Sequence, residues 1–527
     1  MAAPTLVHEK LAKGPGMVGV ALFGLILVVG LAYIGLQLSS DLSIIHSPSV
    51  YPFLLLGAAL LVALGFEFVN GFHDTANAVA TVIYTHSLDP HVAVVWSGIW
   101  NFAGVLVSTG AVAFSIITLL PVELILQVGR GAGFAMVFAL LSAAILWNLG
   151  TWYFGLPSSS SHTMVGSIIG VGLANQFMSA KSGTSGVDWA QAANVGQTLL
   201  ISPIIGFIVA ALLLLVAKVV IPDRRLYQAP EGTEPPPFWI RGLLILTCTG
   251  VSYFHGSNDG QKGMGLIMLI LIGTVPTAYA LNHAIPASEV QTFIAVSDKA
   301  NATLSQYVSP DTVIGDPAEE VTAYIRTREF KDSTMLALRE MVDSVSNELN
   351  YWQSLSKVPA DRVPNLRNDM YVISEALRLM KKTHAGHLTD ADWAALGNYK
   401  SQVDKATKFI PLWVKVAVAL ALGMGTMIGW KRIVITVGEK IGKDHLTYGQ
   451  GAAAEITAMA TIAAADMYGL PVSTTHVLSS GVAGTMAANR SGLQWGTMRN
   501  LALAWVLTLP ASIVIAASLY WAFRSIG

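Results

Sequence analysis

The stretch that decides the fold is GLPSSSSHTMVGSIIGVGLAN at residues 155–175, because the chain carries a second version of it, GLPVSTTHVLSSGVAGTMAAN, at 469–489. Both begin with Gly-Leu-Pro, place a serine two residues after the proline and a histidine three residues later, and end with Ala-Asn. Proline interrupts a helix, and the serines and threonines that follow favour the start of a new one. The sequence therefore predicts two helix N-termini of the same design.

The composition indicates a membrane protein. Of the 527 residues, 53% are hydrophobic and only 12% are charged, whereas soluble domains carry about 25% charged residues. Apolar runs long enough to cross a bilayer recur along the chain, which predicts an all-α polytopic membrane protein. The net charge of −1 gives no basic field for nucleic acid, and nothing in the sequence indicates a cofactor.

Two halves are predicted, and a soluble segment interrupts the second. The motif NGFHDTAN (70–77) returns as HGSNDGQK (255–262), so that Asp74 and Asp259 lie 185 positions apart, whereas the two motif histidines lie 314 apart. The difference is close to the length of a charged stretch, 283–409, whose apolar residues follow helical spacing. The predicted order is an N-terminal helix and loop (1–51), transport repeat 1 (52–220), a cytoplasmic linker (221–240), transport repeat 2 (241–282 and 410–527) and a helical soluble insertion (283–409).

The orientation follows from basic residues. Lys and Arg cluster at 224–225 and within 430–444, and such clusters mark cytoplasmic segments. The two halves would then run in opposite directions across the membrane. This is an inverted-topology repeat of broken helices and re-entrant hairpins, as in many secondary transporters, and it places the insertion in the periplasm.

The two Gly-Leu-Pro motifs have the chemistry of an anion site. A helix N-terminus presents free N–H groups and the positive end of the helix dipole, which bind anions. Two such ends could hold a tetrahedral oxyanion between them. The alternative is a pair of packing hairpins whose serines bond their own backbone. The hydroxyl candidates are Ser158, Ser159, Ser160, Ser161, Ser473, Thr474 and Thr475.

Asp74 and Asp259 are intramembrane carboxylates, which usually mark a functional site. The adjacent glycines predict local unwinding that frees carbonyl oxygens as ligands for Na⁺ or a divalent cation, and the carboxylates could instead carry a proton. The alternative is a structural pair with Lys or His that holds two helices in register. The neighbouring candidates are Asn70, His73, Asn77, His255, Asn258 and Lys262.

Four further titratable residues lie within apolar segments. His162 and His476 follow the helix-starting serines and are either packed residues or proton-linked groups, since histidine titrates near neutral pH. Glu67 and Glu455 are weaker candidates for proton carriers, because neither aligns with a glutamate in the other repeat.

These motifs, together with GWKRIVITVGEKIG (429–442), resemble the Pit family of inorganic phosphate transporters, in its bacterial low-affinity branch. GFHDTANA (71–78) and GSNDGQKG (256–263) stand where that family has Gly-Ala-Asn-Asp-Val-Ala-Asn-Ala. The resemblance implies secondary active import of phosphate, which the hairpin residues of both halves contact near the bilayer midplane. It also implies that the signature aspartates and asparagines hold the coupling cation or orient the phosphate.

The coupling ion is open within that resemblance. Bacterial members are similar to proton symporters that often take phosphate as a divalent metal complex, whereas archaeal and animal relatives use Na⁺. His73 and Lys262 replace asparagines of the signature, and Lys262 would repel a cation or supply positive charge to phosphate. We therefore expect proton coupling.

Other functions fit the sequence less well. A sulfate permease on the same scaffold is the nearest alternative, but sulfate carries no proton near neutral pH to donate to an aspartate. A sodium-coupled phosphate symporter and a homodimer are left open. An intramembrane hydrolase would not need its Ser, His and Asp residues twice, so no enzyme activity is expected.

Overall fold

The computed structural model describes residues 11, 14, 16–43, 51–126, 131–178, 186–230 and 234–526, without the side chains of 52, 75–77, 122–123 and 131. This part of the chain is helical and contains no β-strand. Six of its helices are long and apolar enough to cross a membrane. The predicted all-α polytopic fold class is therefore confirmed.

The first half of the chain forms eight α-helices in the described residues. They are α1 (Met17–Leu42), α2 (Tyr51–Tyr84), α3 (Pro90–Val107), α4 (Ala111–Ile117), α5 (Val122–Leu126), α6 (Gly131–Tyr153), α7 (Ser160–Met178) and α8 (Trp189–Val220).

The second half begins with α9 and is interrupted by the helices of the inserted stretch. They are α9 (Phe238–Thr274), α10 (Pro276–Tyr279), then α11 (Ala287–Ser305), α12 (Pro317–Thr327), α13 (Asp332–Trp352), α14 (Val363–Thr383) and α15 (Asp390–Thr407) of the insertion, then α16 (Leu412–Gly425), α17 (Lys431–Ile435), α18 (Tyr448–Met467), α19 (Thr474–Ala488) and α20 (Trp495–Ile526).

The chain breaks twice at Gly-Leu-Pro, in the same way. Gly155 after α6 and Gly469 after α18 adopt φ values of +67° and +65°, a left-handed conformation that glycine takes without steric cost. The N–H of Leu156 returns to the Thr151 carbonyl and that of Leu470 to the Ala465 carbonyl, each at 2.9 Å. These are matching helix C-caps, and each is followed by a short new helix, α7 or α19.

The expected unwinding at the aspartate motifs is wrong, because α2 and α9 run through them as continuous helices. The motif glycines allow close helix crossing instead. A Cβ on Gly71 would lie 2.2 Å from the Leu422 carbonyl oxygen of α16, and one on Gly256 would lie 2.1 Å from the Asn101 carbonyl oxygen of α3. Backbone contact at the crossing therefore accounts for these glycines.

The two halves exchange contacts reciprocally. Helix α7 packs on α20, the last helix of the other half, and α19 packs on α8. In the first pair, Gly166 of the short helix α7 faces Ser512 of the long helix α20. In the second pair the residue types are reversed, because Ser480 of the short helix α19 faces Gly206 of the long helix α8. This reciprocity supports two equivalent halves, whereas their opposite orientation across a bilayer stays a prediction.

The outer faces of the long helices are apolar and exposed. Leu200 on α8 is 69% exposed and Val506 on α20 is 71% exposed. Such wide apolar faces on a single chain fit contact with lipid tails. The inserted helices bury their own apolar faces, and Asp188, before α8, joins them to the membrane part through Arg378 of α14 at 3.0 Å.

Candidate transport site at two facing helix N-termini

The two short helices α7 and α19 begin with the same cap. The Ser159 hydroxyl accepts the N–H of His162 at 3.1 Å, and the Ser473 hydroxyl accepts the N–H of His476 at 3.1 Å. Such caps fix where a helix begins and leave the other first-turn N–H groups free for a further acceptor. The predicted pair of helix N-termini is therefore present, with identical geometry.

These two N-termini lie against each other. The Ser161 hydroxyl donates to the Val472 carbonyl at 2.7 Å, which joins the first turn of α7 to the loop before α19. The rings of His162 and His476 have their centroids 4.6 Å apart. Trp505 of α20 stacks on His476 at 4.3 Å and donates to the Pro157 carbonyl at 3.1 Å. One indole thus contacts both hairpins.

The two signature carboxylates meet at these N-termini. The Ser160 hydroxyl lies 2.8 Å from Asp74 Oδ2 and 3.2 Å from Asp259 Oδ2, and the Thr475 hydroxyl also donates to Asp74. All four side chains are buried. A hydroxyl carries one proton, so Ser160 can donate to only one of the two carboxylates at a time.

Lys262 supplies positive charge to this cluster, and the ring of His255 lies beside both carboxylates. Lys262 Nζ lies 2.7 Å from Asp259 Oδ1 and 2.6 Å from the Ser161 hydroxyl. His255 Nε2 lies 3.6 Å from Asp259 Oδ2 and 3.9 Å from Asp74 Oδ2. Because the lysine is fully buried, its ion pair with Asp259 is what makes its charge tolerable there.

The other ring nitrogen of each histidine is held by polar neighbours. His255 Nδ1 lies 2.6 Å from Asn101 Oδ1, so Nδ1 carries a proton when that oxygen accepts. A second proton, on Nε2, would then face both carboxylates. His73 Nδ1 lies 3.5 Å from Asp74, and its Nε2 lies 3.2 Å from the Thr151 hydroxyl and 3.4 Å from that of Ser158.

Asn258 holds the second hairpin. Its amide nitrogen donates to the Leu470 carbonyl at 3.1 Å, and its oxygen accepts the Val472 N–H at 3.4 Å. The side chain of Asn77, the other asparagine of the signatures, lies outside the described residues.

The two intramembrane glutamates have different surroundings. Glu455 on α18 accepts hydrogen bonds from the hydroxyls of Thr81 and Thr247, so both its oxygens are satisfied. Glu67 packs its carboxylate against Gly263, one residue after Lys262. Neither oxygen of Glu67 has a hydrogen-bond partner of normal geometry, and the same holds for the Asn70 amide one turn later.

The sequence analysis missed several polar residues around the cluster. Asn101 and Thr151 orient the histidines, and Asp466 of α18 accepts from Ser257 and Gln261 at 2.6 Å each. Asn101 and Asp466 are polar residues within apolar runs, and this signal could have identified them.

The cluster has the composition of a cation site beside an anion site. Ligand atoms of Asp74, His255 and Asp259 lie within 4.8 Å of one another, close enough to share one metal ion. The free N–H groups and the buried Thr474 hydroxyl, which has no hydrogen-bond partner, lie at the starts of the two short helices. The arrangement can therefore bring a cation and an oxyanion together.

Comparisons with known proteins agree with this chemistry. The chain is 40% identical over 485 residues to the low-affinity inorganic phosphate transporter PitA of Escherichia coli (strain K12), covering 89% of this chain and 96% of that protein. It is 40% identical to PitB of the same strain (90% and 97% covered) and 28% identical to a probable low-affinity inorganic phosphate transporter of Bacillus subtilis (89% and 96% covered).

A solved structure, "The sodium-dependent phosphate transporter", aligns with a TM-score of 0.49 at 18% identity, covering 90% of this chain and all of the other. At that level of similarity its sodium dependence carries no weight for this chain. A family model described as "Phosphate transporter family" matches residues 70–516, a range that contains both aspartate motifs and both Gly-Leu-Pro motifs. The chain belongs to the phosphate transporter family.

Proposed function

We propose that this protein imports inorganic phosphate across the inner membrane by proton symport, as a secondary active transporter. The observation that carries the proposal is the Ser160 hydroxyl shared by the carboxylates of Asp74 and Asp259. It joins the start of one re-entrant helix to both signature aspartates. Phosphate at that helix start and a proton on a carboxylate would thus be directly linked.

Anion binding follows from the helix starts. Two N-termini at close range combine two positive dipole ends with hydroxyl donors, and a phosphate oxygen is a strong acceptor for such groups. The Ser160 and Thr475 hydroxyls now donate to carboxylates. Phosphate would recruit these donors once the carboxylates are protonated.

Cation coupling follows from the charges. Carboxylate oxygens of Asp74 and Asp259 within 4.8 Å of each other repel by at least about 3 kcal/mol at an effective dielectric constant of about 20. Lys262 compensates one of them. A doubly charged phosphate would add to this repulsion unless a cation arrives with it, so the site favours symport over uncoupled anion flux.

A proton is the cation that fits best. The Lys262 ammonium already occupies one face of Asp259 and opposes a second fixed charge such as Na⁺. A proton on Asp74 would let that carboxyl donate to Ser160 while Ser160 donates to Asp259, which keeps the ion pair between Asp259 and Lys262. Glu67, buried beside Gly263, is a further proton acceptor in this proposal.

Phosphate accompanied by a divalent metal is the second form of cargo that we propose. Asp74, His255 and Asp259 offer two carboxylates and an imidazole to such an ion. This ligand set suits a divalent cation of borderline softness as well as Mg²⁺. The metal would pass through with the phosphate as substrate.

Proteoliposomes test the coupling directly. Uptake of labelled phosphate should follow an inward proton gradient in the absence of Na⁺, and an excess of sulfate should compete weakly. Chelation of divalent ions separates metal-phosphate from free phosphate as cargo. Uptake that requires a Na⁺ gradient, or that sulfate abolishes, would contradict the proposal.

A further inference from the structure

A small cavity lies where the inserted helices meet the membrane helices. Its walls come from α4, α9, α14 and the end of α15, and its polar and charged lining residues include Arg367, Ser374, Glu375 and Lys408 beside the apolar Ile117 and Leu269. Its volume of about 30 Å³ exceeds the roughly 10–15 Å³ that one water molecule needs. The cavity therefore has room for one small solute.

Arg367 gives this cavity an uncompensated positive charge. The residue is only 7% exposed, and its Nε has no hydrogen-bond partner. Nη1 donates to Asn368 Oδ1 at 3.2 Å, and the guanidinium lies 5.0 Å from the ring centre of Tyr371. Burial lowers the pKa of Arg367 from its ordinary value, yet a guanidinium stays charged in proteins.

The other cations nearby already have carboxylate partners. Arg378, on the same helix as Arg367, binds Glu375 at 2.9 Å and Asp188 at 3.0 Å. Lys408 lies 2.8 Å from Asp404. Arg367 has no such ion pair within the described part of the chain, and a buried charge without a partner is strongly unfavourable. An anion bound from solution would supply the negative charge that the fold does not place beside Arg367.

Helix α9 connects this cavity to the carboxylate cluster. Lys262 and Leu269 lie on α9 seven residues apart, which is about 10 Å along the helix axis. Helix α4, whose Ile117 lines the cavity, is tied to the cluster end of α9 by a 2.9 Å hydrogen bond from the Val112 N–H to Gln261. An anion held by Arg367 would thus lie roughly 10 Å along α9 from Lys262 and the carboxylate cluster.

We propose that Arg367 and this cavity form a second phosphate site, in which the anion is held on the insertion side of the membrane helices. The proposal rests on the proposed function, because it takes the transported anion as the ligand. The Arg367 Nε–H and the Lys408 ammonium are its donors, while the Ser374 hydroxyl in the cavity wall already donates to Asp404 at 2.7 Å. It also gives the insertion a role, which is to complete an anion site at the surface of the membrane part.

Kinetics of the full-length protein in proteoliposomes test this site. Arg367→Gln should raise the apparent KM for phosphate by roughly tenfold and leave the maximal rate unchanged, and Arg367→Lys should restore most of the affinity. The matched control is Arg362→Gln. Arg362 lies five residues before Arg367, is exposed and pairs with Glu348. This variant should leave KM unchanged.

Equilibrium binding of labelled phosphate to the purified full-length protein provides a second measurement. We expect two phosphates per wild-type chain and one per Arg367→Gln chain, whose melting temperature without phosphate should be equal or higher because it lacks the unpaired buried charge. If Arg367→Gln fails to fold, Lys408→Gln, which removes the other cationic donor, carries the same comparison. Equal KM and equal stoichiometry in folded variants would overturn the second site, whereas a wild type that takes up no phosphate would overturn the proposed function itself.

A phospholipid headgroup carries the same phosphate chemistry and could reach this position from the membrane. Native mass spectrometry of protein stripped of added lipid distinguishes the two sources. A phospholipid that is retained by the wild type and lost in Arg367→Gln would assign the cavity to lipid and overturn the proposal. Phosphate stoichiometry that is independent of anionic lipid in nanodiscs supports it.

Discussion

The imidazole rings of His162 and His476 lie in tilted contact, with their centroids 4.6 Å apart. Each follows its helix-capping serine by three residues, so the contact joins equivalent positions of the two halves. Any motion that opens the site by separating α7 from α19 must break it. The pair therefore marks the closed arrangement of the two hairpins.

The first prediction concerns the twin carboxylates. Asp74→Asn and Asp259→Asn should each reduce phosphate uptake to the level of empty liposomes, because an amide cannot release the proton or hold the cation that offsets phosphate charge. The measurement is initial uptake of labelled phosphate at matched protein density. Asp223→Asn in the linker, where Asp223 pairs with Arg225, is the control and should transport normally. Wild-type rates in both site variants would remove the aspartates from the mechanism.

The second prediction separates substrate contact from packing. The Thr474 hydroxyl is buried without a hydrogen-bond partner, which costs roughly 1–3 kcal/mol. Thr474→Val should therefore keep or raise the melting temperature while it raises the apparent KM for phosphate. Ser479, further along α19, also has an unpartnered buried hydroxyl, so Ser479→Ala should raise stability without changing KM. The idea fails if the two variants have the same KM.

A third prediction tests the helix crossings. Gly71→Ala and Gly256→Ala each place a methyl group about 2 Å from a backbone carbonyl of the facing helix, so the crossing must widen, at a cost of roughly 1–3 kcal/mol or more. Both should lower the melting temperature in detergent by similar amounts. Gly242→Ala on the exposed side of α9, where nothing lies within 4 Å, should instead be neutral or slightly stabilising. Unchanged stability in the crossing variants would show that the glycines serve another purpose.

The fourth prediction distinguishes the two glutamates. Glu67→Gln should retain stability, because the amide has the same shape as the carboxyl group and no charge to bury, and should abolish uptake driven by a proton gradient. Glu455→Gln should lower stability by about 1 kcal/mol, because it disturbs hydrogen bonds from Thr81 and Thr247, and should keep proton-driven uptake. Uptake at several pH values and melting curves would provide the readouts. The reverse pattern would exchange the roles of the two residues.

Much of the site could be predicted because its two sequence motifs each occur twice in the chain. The Gly-Leu-Pro motifs with their serines indicated both helix starts, and the repetition of Asp74 as Asp259 indicated both intramembrane carboxylates. Spacing alone could not determine what the glycines of these motifs do. Unwinding and close crossing both require glycine, and only the position of Leu422 against Gly71 decides between them.

Partner choice was only partly predictable from the sequence. The Lys262–Asp259 ion pair belongs to the structural alternative that the sequence had left open, whereas the binding of Asn258 to the hairpin backbone was not expected from a motif that indicates ion or phosphate binding. Arg367 was not singled out, because a charged residue on an amphipathic helix usually faces water. It becomes buried only where α14 packs over α4 and α9, and a pattern along one helix does not report that.

The exchanged pairs Gly166–Ser512 and Ser480–Gly206 have a consequence for the origin of the molecule. Each short helix packs against a long helix that belongs to the opposite half. A half-length ancestor would therefore have needed a second copy of itself to cover its short helix. Gene fusion would then have turned a contact between two subunits into a contact within one chain.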